Sequence, residues 1–504
     1  MGVFHYFLSN KRLFLLLFAS SLLFLSVLGS PDTKIYHLVI SLDINSLNNL
    51  FYSSDTFFRT PNTSLRFILF TIAIIIIIFI PMVSLSNEGY YHKYIHLITK
   101  YLVVLFLLTI LSTQNLYNYA ALILLLLSLY YLLFYSSKEL SRIEIYFLTS
   151  YILLFYYPFL HSFFIETNLS EMDNYVRFLF ALPLYLLIRE INIKEVYFKL
   201  IINHASLVIG VSAIYFHIYH DSVRINGYTS TATIFGNISL LFACLSLLSI
   251  KPLKDSLFKY YPIISAILAF HAWSLTGARS SLLIIPIFII IFLFSKDLRE
   301  NFLPKVNLKL VSIFLIVIAI IISQSNVYKR SIDSYETSYS YFFENGEFNW
   351  KHKNSLVPRL LIWKGTMNII KENPLMGVGQ DNFNQYLNSQ IKDKKIDPIR
   401  NNQQNPTAGL NHAHNQYLDI FAKTGITGLF LLLFFLIMNL FFFLKRYLHN
   451  KNCFYAKSGL LTIITYSTYM LNHTIISHQQ SSLFLSFFLI MLAGLSNHMK
   501  NAKL

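Results

Sequence analysis

The chain has 504 residues, 55% of them hydrophobic and 13% charged, with a mean hydropathy of +0.53. Soluble domains carry about 25% charged residues, so a water-facing globule is excluded and a multi-span integral membrane protein is expected. A formal net charge of +16 fits loops held in the cytoplasm by Lys and Arg and does not by itself imply nucleic acid. Two cysteines, Cys244 and Cys453, are too few for a disulfide framework or a cysteine metal site.

Crossing about 30 Å of hydrocarbon takes roughly 20 mostly apolar residues. The sequence predicts about fourteen such cores, at 12–29, 66–86, 97–113, 119–135, 145–165, 175–189, 200–219, 231–250, 260–276, 281–295, 308–324, 416–444, 458–476 and 481–498. The first is read as an anchor, because its apolar core is long and Gly29-Ser30 makes a weak cleavage site. The expected architecture is an all-α polytopic membrane protein. Residues 1–324 hold spans 1–11, residues 325–413 form one long loop, and residues 414–504 hold the last three spans.

Lys and Arg resist translocation in short loops. Lys93, Lys138 with Arg142, Lys194 with Lys199, Lys251 with Lys254, Lys296 with Arg299, and Lys445 with Arg446 all fall on one side by parity. That side is expected to be cytoplasmic, which puts the 325–413 loop outside. The loop carries 11 basic and 8 acidic residues. Within it, 359–372 reads as an amphipathic helix on the membrane surface, with Leu360, Trp363, Met367 and Ile370 at helical spacing and Asn373-Pro374 as a stop. Gly377 and Gly379 form a turn, and 388–410 is expected to be mobile.

The strongest candidate for chemistry is Asn411-His-Ala-His414-Asn415, followed by Gly425-Ile-Thr-Gly428 at the head of an apolar run. An imidazole at a water-to-membrane boundary can take a proton near neutral pH. On a helix His412 and His414 would point about 200° apart, so only one faces a cavity, and His414 is chosen. Arg279, Arg359 and Arg224 fall on outward turns, where a guanidinium binds phosphate oxygens bidentately and stays protonated. Asp419 either orients a base or favours a helix N-terminus. His473 and His478 flank the last outside turn and read as interfacial packing. Glu171 and Asp173 are a close acidic pair, but two carboxylates alone make a poor metal site, so no metal and no other cofactor is expected.

These features resemble the O-antigen ligase family, which shares its signature with O-antigen polymerases. The resemblance rests on His414-Asn415 and, nine residues on, Gly425-x-x-Gly428. It rests also on Arg359-x-x-x-Trp363 followed by Pro374-Leu-x-Gly377-Val-Gly379, on Leu-Thr-Gly-Ala-Arg279, and more weakly on Asn174-Tyr-Val-Arg177. It implies a C-type membrane glycosyltransferase-like fold in the bacterial inner membrane, with the active site facing the periplasm. It further implies transfer of a glycan from undecaprenyl diphosphate to a lipid A core sugar without a metal. His414, Arg279 and Arg359 would be the catalytic residues, and Arg224, Arg177, Asn415 and Trp363 substrate-binding ones. Family members usually have about twelve spans, and Leu429-Phe430 follows Gly428 where many ligases carry threonines. Expected partners are the lipid-linked glycan, the lipid A core acceptor and membrane lipids, with no nucleic acid. An O-antigen polymerase using the same donor is the alternative within enzymes. A flippase or transporter for the same lipid is the alternative outside them, disfavoured because the notable charges sit at outer boundaries and no duplicated half is visible.

Overall fold

A computed structural model describes residues 88–135, 139–165, 172–219, 224–250, 260–285 with 288, 326–339, 356–399 and 410–497. The predicted spans at 12–29, 66–86 and 308–324 lie outside the described residues, as does nearly all of 281–295 beyond residue 285. The described residues are helical and contain no strand. In order they form α1 Glu88–Thr109, α2 Leu116–Phe134, α3 Arg142–Phe164, α4 Asp173–Glu190, α5 Glu195–Tyr219, α6 Ala232–Leu248 and α7 Tyr261–Thr276. A 3₁₀ turn at Arg279–Leu283 follows, then α8 Asn326–Tyr339, α9 Leu356–Glu372, α10 Phe383–Lys392, α11 Gln416–His449, α12 Phe454–Tyr469 and α13 Gln479–Leu495. Four segments are long and apolar enough to cross a membrane: Leu116–Phe134, Arg142–Ser162, Glu195–Tyr219 and Gln416–His449. Shorter apolar helices run over Tyr94–Thr109, Ala232–Leu248, Tyr261–Thr276 and Gln479–Leu495. The chain is an all-α polytopic membrane protein.

The apolar helices share one core. α4 packs along α13, α6 and α5 along α7, and α3 along α11. In lipid there is no hydrophobic drive between helices, so close packing must hold them. Aromatic rings supply much of it: Phe435 of α11 meets Tyr151 of α3 at 4.9 Å and Phe178 of α4 at 5.4 Å, both edge to face. At one end of the bundle a buried carboxylate ties three helices. Glu144, which caps α3 through Ser141, accepts the Tyr185 hydroxyl at 2.6 Å and lies 3.4 Å from Arg446 and 3.8 Å from Arg189. Breaking such a buried set leaves an uncompensated charge, which makes it a lock.

A second, smaller core lies in the long loop. Val357, Leu361, Ile362, Ile369, Ile370, Val378, Phe383, Leu387, Ile396, Ile399, Leu410, Ala413 and Ala422 pack together. This corrects two expectations. The helix begins at Leu356, three residues earlier than predicted, and its buried stripe is Val357, Leu361, Ile362, Gly365, Thr366, Ile369 and Ile370, while Met367 is exposed. Through this stripe it packs on protein, chiefly α10 and α11. Of residues 388–399, expected to be mobile, 388–392 complete α10 and 393–399 follow as non-helical turns that place Ile396 and Ile399 in this core. Residues 400–409 lie outside the described residues.

Candidate active site

α11 starts because Asn415 caps it: its Oδ1 accepts the Tyr417 and Leu418 amides at 3.0 and 3.1 Å. Just before the cap, His414 has φ +52. A left-handed backbone costs a non-glycine residue about 1–2 kcal/mol, so such a turn persists only where its surroundings hold it. They do. The Ala413 amide donates to Asp419 Oδ1 at 2.8 Å, and the Ala413 carbonyl accepts the Trp363 indole N–H at 3.0 Å. Asp419 is itself fixed by Lys423 at 3.3 Å, both side chains being buried. On the other side, the Gln416 amide donates to Met470 O at 2.8 Å and Gln416 Oε1 accepts the Ile476 amide at 2.9 Å. This one glutamine, through its backbone amide and its side-chain oxygen, stitches the loop to the turn between α12 and α13.

The left-handed turn has a consequence for the two histidines. They are not on a helix, so the expected 200° separation does not hold. Their rings lie 4.6 Å apart and nearly perpendicular. His473 is 6.0 Å from His414, His478 is 6.1 Å from His412, and His473 and His478 are 4.7 Å apart. Four imidazoles therefore close a ring between the α11 N-terminus and the α12–α13 turn, with Ser230 3.1 Å from His478 Nδ1. His412, set aside on helix geometry, and His473 and His478, read as interfacial packing, are thus brought together with His414 in one ring.

Burial dominates the electrostatics. It pushes His412 down to about 3, helped by Lys423 and His478, and His414 down to about 3, helped by His412 and Arg359 and opposed by Asp419. His478 falls to about 4 through burial, and His473 lies well below the ordinary imidazole value through burial and the surrounding histidines and Arg359. All four are neutral at pH 7, with lone pairs able to accept protons. Arg359 lowers both His414 and His473, which puts the start of α9 within electrostatic reach of the ring.

The other predicted residues divide between this end of the bundle and its supports. Arg279 opens the 3₁₀ turn after Gly277, whose φ of +62 ends α7. Arg224 Nε donates to Thr276 O at 2.9 Å, three residues before Arg279. The loop that holds Arg224 continues to Ser230 at the ring, and Gln480 donates to Tyr228 O at 3.2 Å. Arg177 is buried, paired with Asp173 at 2.8 Å and bonded to Asn174 and Ser482, while Asn174 donates to Ser477 O at 3.0 Å. It braces the α12–α13 turn from behind. Asn415 and Trp363 hold the histidine loop through the cap and the Ala413 carbonyl. Glu171 lies outside the described residues. Among the described residues no group of three or more His, Cys, Asp and Glu is arranged to hold a metal ion.

The glycine motifs meet at a break in α11. Gly425, at φ +70 and ψ −171, interrupts the helix. The Val378 and Gly379 amides donate to Ala422 O and Lys423 O, both at 2.9 Å, and the Ile426 amide donates to Pro374 O at 3.0 Å. The segment 374–379 is a strap that satisfies the groups the break exposes. A Cβ on Gly425 would sit 1.9 Å from Leu375 O, so no side chain fits there.

Residues 264–433 match the family described as O-Antigen ligase. That segment contains Arg279, Arg359, Trp363, the strap, His414 and both glycines of the break, and stops short of His473 and His478. The chain is also similar to a protein of Haemophilus influenzae (strain ATCC 51907 / DSM 11121 / KW20 / Rd) described as an uncharacterized protein. The two are 27% identical over 400 residues, covering 76% of this chain and 94% of that one. The family match, on a polytopic helical chain that carries the signature residues of that family between 264 and 433, supports the O-antigen ligase/polymerase superfamily.

Proposed function

We propose that the protein is an O-antigen ligase, transferring a glycan from undecaprenyl diphosphate to a lipid A core sugar at the periplasmic face of the inner membrane. The observation that carries this reading is His414, held neutral in a strained, clamped turn with Arg359 in electrostatic reach. A polyprenyl diphosphate is a good leaving group, so the protein has to place the acceptor, take its proton and stabilise the charge that grows on phosphate. In the reaction the acceptor hydroxyl oxygen bonds to the anomeric carbon of the donor sugar. The bond from that carbon to the diphosphate oxygen breaks with its electron pair on the oxygen, and the hydroxyl proton passes to His414. Arg279 and Arg359 bind the diphosphate.

A pKa of about 3 makes His414 a weak base alone. The donor corrects this, because a multiply charged anion beside an imidazole favours its protonated form. The base gains strength as the substrate arrives.

The experiment is deletion in the native host, followed by gel analysis of lipopolysaccharide and complementation with wild type or His414→Ala. Loss of the whole ladder with lipid-linked polymer accumulating, rescued only by wild type, is the expected result. Core carrying a single repeat would instead mean a polymerase, and an unchanged ladder would overturn both.

A further inference from the structure

His414 Nδ1 and His473 Nδ1 are both buried without a hydrogen-bond partner. Buried polar atoms are nearly always paired, so three exceptions in one ring of histidines, His478 Nε2 being the third, call for a reason. Their rings are 6.0 Å apart at 82°. Imidazoles joined by an N–H···N bond have centres about 5 Å apart, so a shift of about 1 Å with a ring rotation joins them.

A base that takes a proton on Nε2 needs a partner for its Nδ1–H, which fixes the tautomer and stabilises the imidazolium. A carboxylate usually serves. Here Asp419 has one oxygen on the Ala413 amide and the other on Lys423, and Asp173 is paired with Arg177. His412 shares the strained turn with His414 and stands edge to face with it. His473 stands on the separate α12–α13 turn, is 4% exposed, and has a free Nδ1.

We propose that His473 is the partner of the base: when the acceptor's proton reaches His414 Nε2, His414 donates its Nδ1–H to His473 Nδ1 and the two rings hold one proton together. The inference rests on His414 being the base. His473 touches no reacting atom and is a positioning residue. The bonds made and broken are those of the transfer itself, and the proton leaves the pair to the departing diphosphate or to water. The groups facing the pair decide that it holds one proton and not two: His412, His478 and Arg359 all disfavour a second charge, and Asp419 supports the first.

The test compares His473→Leu, which removes the acceptor, with His473→Asn, whose amide oxygen stands where Nδ1 stood. With purified protein and lipid-linked donor, His473→Leu should lower kcat about 10- to 100-fold with KM little changed. The acid limb of its kcat/KM profile should move to lower pH, and His473→Asn should recover most of the turnover. Wild-type kcat in His473→Leu, or equal losses in both variants with an unmoved pH profile, overturns the proposal. A measurement on the unaltered protein covers failure of a variant to fold. ¹⁵N-histidine NMR should show His414 and His473 titrating together, as coupled sites do, and independent titrations would overturn the pairing. If His414→Ala keeps full activity, the base reading itself has failed; if His414→Ala is inactive and His473→Leu is normal, only this inference has.

Discussion

At the residue, His414 and its neighbours no longer separate as cleanly as the spacing implied. General-base assistance is worth roughly 10²- to 10⁴-fold, so His414→Ala should lose transfer by about that factor while keeping donor binding, which we assign to the arginines. Because its ring lies 4.6 Å from His414, His412→Ala should show a loss between wild type and His414→Ala, and a wild-type rate would show that this contact does not matter. Arg279→Lys and Arg359→Lys keep the charge but lose the bidentate fork. Each should cut transfer at least tenfold, and full activity in both would reduce the pair to headgroup anchors. The pH dependence of stability follows from the depressed histidines. Above about pH 6.5 folded and unfolded forms are both neutral there and nothing is lost. As pH falls from 6.5 towards the folded values of about 3 to 4, the unfolded chain binds protons that the folded one refuses, and stability drops. The limiting slope is about 1.4 kcal/mol per pH unit for each histidine. Melting temperature in detergent should be flat above pH 7 and fall below pH 6; an equal value at pH 7.5 and pH 5 would sink the argument.

At the level of the element, the break in α11 makes the site possible, because it lets residues 416–424 pack on the loop core while the rest of the helix runs into the bundle. Gly425 occupies a region of backbone space that is essentially glycine-only, and a Cβ there meets the Leu375 carbonyl. Gly425→Ala should therefore cost on the order of 3 kcal/mol or more and release the strap. At Gly428 a Cβ meets Thr424 Oγ1 at 1.8 Å, a side-chain atom that can rotate at the expense of its bond to Ile420 O. Gly428→Ala should be the milder change, and thermal unfolding of the two variants orders them; the reverse order would count against the strap. The glycine and proline motifs were legible as motifs because their residue types are unusual in an apolar chain. Their meeting was not, since residues 374–379 and 422–426 are separated by more than forty positions and read as a turn and an uninterrupted span. The bundle helices were legible for the opposite reason: a run such as 145–165 is set by local apolar content and returns as Arg142–Phe164. In α9 both faces carry apolar residues, so periodicity alone chose Leu360 and Met367 where packing chose Leu361, Gly365 and Ile369. His473 and His478 read only as interfacial packing because nothing local ties them to His414; the fold of the turn carries them there.

Across the whole molecule the two polar assemblies stand at opposite ends of the same helices. Glu144 is at the start of α3 and Arg446 in the last turn of α11, with Arg189 in the last turn of α4. The histidine ring gathers at the start of α11 and of α13, with Arg177 near the start of α4. The first end is joined to the basic short loops, which on our reading the cost of translocating Lys and Arg keeps on the cytoplasmic side. The histidine end should then face the periplasm, where a lipid-linked glycan is presented. Ser389 on α10 is exposed at the histidine end, and Asn452, between α11 and α12, is exposed at the other. The native Cys244 and Cys453 are both buried, so background labelling should be low. Ser389→Cys should react with an impermeant thiol reagent in intact spheroplasts, and Asn452→Cys only after the membrane is opened. The reverse pattern would invert the map and put the ring on the side where no periplasmic acceptor can reach it. Labelling of both in intact cells would mean that the two ends are not separated by the bilayer, and the four long helices would lose their reading as spans.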